Sequence, residues 1–183
     1  MLELLERQTS LTINQWKIFL ACFFSLALDF ALETLGLGEA RLRDRLMELY
    51  LTLDAFPEVP NTLRRLKAAG IKTAILSNGT PDMLDAAVRN AGVDDLLDAL
   101  LSVEAVGVYK PHPKVYHLAV DRFGIPAAAI SFQSSNAWDA YAASAFGMRA
   151  VWCNRYGQPP EQLPGKPDYE IRSLAELPAL IGV

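Results

Sequence analysis

The chain has 183 residues, 51% of them hydrophobic and 21% charged, with a formal net charge of −4. That size and balance suit one globular domain, or a domain with a small appendage, that buries a core without disulfide staples. The absence of any Lys/Arg run argues against nucleic acid as a partner, and two cysteines (Cys22, Cys153) and two histidines (His112, His117) offer no metal-ligand spacing.

The apolar run Ile18–Leu28 is too short to span a bilayer and lacks the basic leader and small-residue cleavage site of a signal peptide. It reads as a buried or partner-facing helix, and the chain as cytoplasmic, with its cysteines free. Residues 1 to about 36 are expected to be helical, with a break near Ser10–Asn14 and a stop at Gly36 and Gly38. Ile18, Phe19, Cys22, Phe23, Leu26 and Phe30 recur at helical spacing, and Leu20, Phe24 and Leu28 extend the apolar surface round most of the circumference. Such a helix has to be covered on every side. Arg41–Leu53 reads as a second, amphipathic helix.

From Pro57 helices and short apolar runs alternate. The spacing predicts helices over Asn61–Ala69, Pro81–Ala91, Lys114–Phe123 and Ala137–Phe146, the first three each followed by a glycine. Strands are predicted at Lys72–Leu76, Ala99–Val103, Ala129–Gln133 and Arg149–Cys153. A Pro/Gly-rich loop, Gly157–Pro167, leads to an edge strand at Tyr169–Ile171 and a terminal helix, Leu174–Leu180. Alternation of this kind means a parallel sheet of βαβ units, an α/β fold with a Rossmann-like core over residues 57–183 and a helical segment over 1–56.

Polar clusters stand at successive strand carboxyl ends: Ser77-Asn78, Lys110 in Tyr109-Lys110-Pro111, and Ser134-Ser135-Asn136-Ala137-Trp138-Asp139. Singly they read equally well as helix-capping turns and an exposed lysine. A parallel sheet, however, brings all its strand carboxyl ends to one side, where α/β folds bind ligands.

Together with Ala74-Ile75-Leu76-Ser77-Asn78-Gly79, these runs resemble the second, third and fourth motifs of the haloacid dehalogenase superfamily, and more narrowly the L-2-haloacid dehalogenases. The resemblance extends from about Ala31 to the carboxyl terminus and includes Asn154-Arg155-Tyr156-Gly157. Phosphatases of the superfamily carry an extra carboxylate in the last motif to hold magnesium. Here Ser134, Ser135 and Asn136 leave Asp139 as the main carboxylate, a poor magnesium cage. The resemblance therefore implies hydrolysis of the carbon–halogen bond of short 2-haloalkanoic acids through an aspartyl ester, with no cofactor and no metal.

By the same resemblance, Lys110 would keep the nucleophilic carboxylate ionised and Ser77 would hold the substrate carboxylate. Asn78 would steady the departing halide, and Asp139, Asn136 and Ser134 would position and activate water. Tyr116 would line the pocket, with Trp138 as its apolar wall. A homodimer through the cap helices is an open reading.

The family's first motif, a strand ending in Asp with Thr four residues on, has no counterpart in the sequence. Asp29 and Thr34 are spaced by five and match a cap helix instead. Arg7 has no clear claim to the family's halide-binding role. The chain thus reads as N-terminally truncated, a helical cap remnant plus a core whose central first strand is missing, with little or no turnover expected. The strands Lys72–Leu76 and Ile130–Gln133, which would flank the missing one, either close on each other, receive another segment, or leave the fold compromised. A phosphatase and a non-catalytic anion-binding or interaction domain are the alternatives.

Overall fold

A computed structural model describes residues 28–38, 40–49 and 51–183. The expectations for Arg7, Cys22 and all of the Ile18–Leu28 run except Leu28 lie outside the described residues. Residues 28–34 are helical, followed by α1 (Ala40–Leu49), and Arg43 Nε meets Asp29 Oδ1 at 2.7 Å to tie the two together. Phe30 is 72% exposed, and Leu35, Leu51, Leu53 and Phe56 are exposed as well. Among the described residues no helix is long and apolar enough to cross a membrane.

The α/β part runs α2 (Val59–Ala68), β1 (Ala74–Ser77), α3 (Pro81–Asn90), β2 (Ala99–Ser102), α4 (Pro113–Phe123), β3 (Ser131–Ser134), α5 (Ala137–Phe146), β4 (Arg149–Cys153), β5 (Tyr169–Ile171) and α6 (Leu177–Leu180). Its helix ends follow local chemistry. Thr80 Oγ1 accepts from Met83 N ahead of Pro81, and the His112 ring accepts from Lys114 N ahead of Pro113. Helix α4 stops at Gly124, whose φ of 63° is left-handed.

The sheet is in two pieces. β1 pairs in parallel with β2, Ser77 opposite Ser102, and β3, β4 and β5 form a second parallel set. Among the described residues β1 and β3 do not pair. Of the outcomes foreseen for the flanking strands, direct closure is not found, and no described strand lies between them. A cavity of about 730 Å³ separates them, lined by Ala74, Ile75 and Leu76 on one side and Ile130, Phe132 and Gln133 on the other. The half-sheets differ accordingly: Ala150 and Val151 of β4 are fully buried, whereas Ala74 is exposed and Ile75 and Leu76 are only half-buried.

Successive strand residues point to opposite faces. Ile75 and Leu100 pack with Leu63 of α2 and Val88 of α3, while Leu76 and Leu101 join Tyr116 and Ala119 of α4. The same α4 cluster contains Phe132 of β3, so α4 spans both half-sheets.

A second tie joins the start of α2 to the end of β4. The Glu58 carboxylate accepts from Arg155 Nη2 at 2.6 Å and from Ser173 Oγ at 3.0 Å, and the Arg155 guanidinium lies 3.8 Å from the centre of the Phe56 ring. Burial pushes the Glu58 carboxyl up, but its own backbone amide and the bonds from Arg155 and Ser173 outweigh that and hold it below its ordinary 4.5. A depressed carboxylate contributes stability that is present above the unfolded-state value and is lost as pH falls through the folded one. Glu58→Gln is therefore expected to be less stable than the wild type at pH 7, with the gap narrowing as pH drops below 4.5. Urea melts across that range would show it, and a gap constant with pH would contradict it.

Candidate active site

The loops after β1, β2 and β3 meet as the parallel topology requires. After β1, Ser77 Oγ accepts from Gly79 N at 3.0 Å, which leaves its proton to donate. Gly79 O accepts in turn from the buried Ser102 Oγ at 2.7 Å, so the end of β2 fixes the turn. Asn78 Oδ1 accepts from Lys110 N at 2.9 Å and latches the first loop to the second.

Lys110 then reaches across to the third loop, its Nζ 2.8 Å from Asp139 Oδ2, with side-chain exposures of only 8% and 5%. Its ammonium also lies 5.0 Å from the centre of the Phe132 ring, a favourable cation–π distance. Asp139 Oδ2 accepts a second bond, from Ser134 Oγ at 3.0 Å, and Oδ1 accepts from the Tyr116 hydroxyl at 2.8 Å. Ser134 Oγ is itself fixed by Asn136 N at 3.2 Å. A buried carboxylate is tolerated when its charge and lone pairs are matched in this way. Burial, and then the Asp139 charge and hydrogen bond, raise the Tyr116 phenol well above its ordinary value, so it serves as a neutral donor at any working pH.

Ser77, Asn78, Lys110, Ser134 and Asp139 are thus joined through short contacts at the carboxyl ends of β1 and β3. Tyr116, expected to line a pocket, is fully buried beneath Asp139. Asn136 stands at the amino end of α5 with its side chain exposed and makes no side-chain cap. Trp138 is half-buried beside a second cavity of about 350 Å³, lined by Asn136, Gln158, Pro159, Pro160 and Glu161 among others. Lys110 and Asp139 do not line that cavity.

Two contributors escape the sequence reading, Ser102 and Phe132. The first had a signal, because Ala74-Ile75-Leu76-Ser77 and Ala99-Leu100-Leu101-Ser102 end alike and pair in register. Among the described residues no group of three or more His, Cys, Asp or Glu side chains converges as a metal site would.

A model of the haloacid dehalogenase-like hydrolase family matches residues 18–147. The (S)-2-haloacid dehalogenase of Pseudomonas sp. (strain YL) is 50% identical over 149 residues, which cover 81% of this chain and 64% of that protein. (S)-2-haloacid dehalogenase 1 of Pseudomonas sp. (strain CBS-3) is 45% identical over 156 residues, covering 85% of this chain and 69% of that protein. The solved L-2-haloacid dehalogenase from Xanthobacter autotrophicus with chloropropionic acid covalently bound matches the fold at a TM-score of 0.79 and 32% identity, over 92% of this chain and 76% of that one. The chain spans about two thirds of the length of the curated relatives it matches. With its parallel strands, its lysine–carboxylate pair at their carboxyl ends and these matches, the chain belongs to the haloacid dehalogenase-like hydrolases.

Proposed function

We propose that this chain carries the substrate-holding and water-handling groups of a 2-haloacid dehalogenase acting on short (S)-2-haloalkanoic acids. The observation that carries the reading is the buried Lys110–Asp139 pair with Tyr116 and Ser134 on the same carboxylate. It supports metal-independent chemistry, because among the described residues Asp139 is the one carboxylate joined in this cluster, and a single carboxylate is a poor cage for a hard cation. The names of the relatives at 45–50% identity support the substrate class.

In the reaction proposed, an aspartate oxygen attacks C2 of the haloacid while the carbon–halogen electron pair leaves with the halide. Water then adds to the ester carbonyl and gives up its proton to a base. The ester C–O bond at the aspartate carbonyl breaks, releasing the 2-hydroxy acid and regenerating the carboxylate. Ser77 donates to the substrate carboxylate, Asn78 steadies the leaving halide with Trp138 as an apolar wall, and Lys110 balances the carboxylate charge. Asp139, with Ser134 and Asn136 beside it, orients and activates the water. Asp139 is not assigned the nucleophilic role: Lys110, Tyr116 and Ser134 hold its carboxylate in place and leave one acceptor site, enough to orient a water. Residues 1–56 are read as cap and 57–183 as core. The setting is taken to be cytoplasmic, and the exposed apolar side chains of the cap are where a second copy would pack.

The purified 183-residue chain is therefore expected to bind (S)-2-chloropropionate weakly and release no chloride from it. Titration calorimetry beside chloride release tests this. Lys110-dependent chloride release would overturn that expectation and place a nucleophile within this chain. Magnesium-dependent phosphate release from p-nitrophenyl phosphate would replace the dehalogenase reading with a phosphatase.

A further inference from the structure

We propose that Ser102, buried at the end of β2, is a positioning residue for the substrate carboxylate: it holds Gly79 by its carbonyl and so aims the Ser77 hydroxyl proton. The role rests on the reading of Ser77 as the donor to that carboxylate, and it belongs to a residue that touches no substrate. Gly79 is buried, so both of its backbone polar groups need partners. Its N–H donates to Ser77 Oγ at 3.0 Å, and its C=O accepts from Ser102 Oγ at 2.7 Å. Ser102 is only 8% exposed, stands opposite Ser77 in the parallel register, and accepts from Glu104 N at 3.1 Å. Its proton and a lone pair are both committed, which fixes the orientation of the hydroxyl.

The serines that end β1 and β2 thus differ in role. A hydroxyl rotates freely until its acceptor side is fixed. The Gly79 N–H fixes that side of Ser77, and the Ser77 proton is left for an acceptor outside the turn. Asn78, the next residue, gives its Oδ1 to Lys110 N at 2.9 Å and keeps its amide N–H groups to donate. The turn therefore offers donors outward, which suits a carboxylate, a group that only accepts. Donors held in place before the ligand arrives cost little ordering on binding. Without the Ser102 hydroxyl, Gly79 O is a buried acceptor that has lost its bond. Glycine has no Cβ to resist a change of backbone angles. The turn then relaxes toward another donor, carries the Gly79 N–H off Ser77 Oγ, and frees the Ser77 proton to swing away from the substrate.

The test titrates the full 183-residue chain with (S)-2-chloropropionate and follows the amide signals of the folded protein by NMR, Gly79 among them. Reading only folded signals keeps a loss of stability apart from a loss of affinity. Ser102→Ala is expected to weaken binding about five- to tenfold, the worth of one hydrogen bond, and to speed exchange of the Gly79 amide. Ser102→Thr, which keeps the hydroxyl, should restore affinity to within about twofold. Ser102→Cys, similar in size but a weak donor, should not restore it, and it serves in place of the alanine variant should that one not fold. In a Ser77→Ala background Ser102→Ala should cost no further affinity, a coupling that a purely structural role would not produce. Tight binding by Ser102→Ala or Ser102→Cys, with Ser77→Ala impaired, would overturn the role of Ser102 and leave that of Ser77 standing. So would an equal loss of affinity on both Ser77 backgrounds. No saturable binding by the unsubstituted chain, or undiminished binding by Ser77→Ala, would overturn the Ser77 reading and the role of Ser102 with it.

Discussion

Asp139→Asn is expected to lower the unfolding free energy by about 3 kcal/mol, a large share of what a domain of this size has. The amide leaves the Lys110 ammonium almost fully buried with no anion, and it presents an N–H₂ group to neighbours that are themselves donors. Lys110→Met should be costly for the mirror-image reason, although Tyr116 and Ser134 still hold the carboxylate. Combining the two should restore part of the loss, since the double variant leaves no unpaired buried charge. Urea denaturation of the two single variants and the double variant gives the coupling directly. Strictly additive losses would show that the two groups do not act as a pair. Tyr116→Phe, which removes one neutral donor and no charge, should cost only about 1 kcal/mol on the same scale.

The second large effect is expected far from the charges. Gly165→Ala should destabilise the chain by about 3 kcal/mol, from a left-handed backbone position combined with overpacking. Gly165 has φ +84°, and a Cβ there would lie 2.4 Å from Tyr141 O and 2.8 Å from Ala145 N, both backbone atoms that cannot yield. The loop is held in this place on α5 by Ser144 Oγ, which donates to Lys166 O at 2.6 Å and accepts from Lys166 N at 3.3 Å. Gly124→Ala is the matched control. Its φ is +63° but nothing lies within 4 Å of the new methyl, so about 1 kcal/mol is expected. Thermal melts giving equal losses for the two variants would remove crowding as the cause.

Local signals fixed much of this fold because they agree with the tertiary arrangement. Ala137–Phe146, Arg149–Cys153 and Tyr169–Ile171 have the bounds expected from the sequence. Strand β1 begins at Ala74 rather than Lys72, because Asp98 draws Lys72 Nζ and Thr73 N to its side chain before the ladder starts. The meeting of Ser77, Asn78, Lys110, Ser134 and Asp139 was legible too, since parallel strands leave their loops nowhere else to go. The direction of Tyr116 was not: a tyrosine early in a helix suits core and pocket equally, and only the seating of α4 on β3 aims its hydroxyl at Asp139. Nor could residue patterns decide whether β1 and β3 would close. That depends on tertiary packing, in which α4 seats on strands of both half-sheets.

Because α4 spans that interval, the distance between the Ser77 and Ser134 loops is set among the described residues by side-chain volume rather than by strand pairing. A ladder can shift only in whole residues, so a site built on one is calibrated in steps. Packing can be adjusted in fractions of an ångström, one methyl group at a time. Ala119, small, buried and in the same cluster as Leu76 and Phe132, is then a dial for the width of the site mouth, and it can be turned without touching any polar group there.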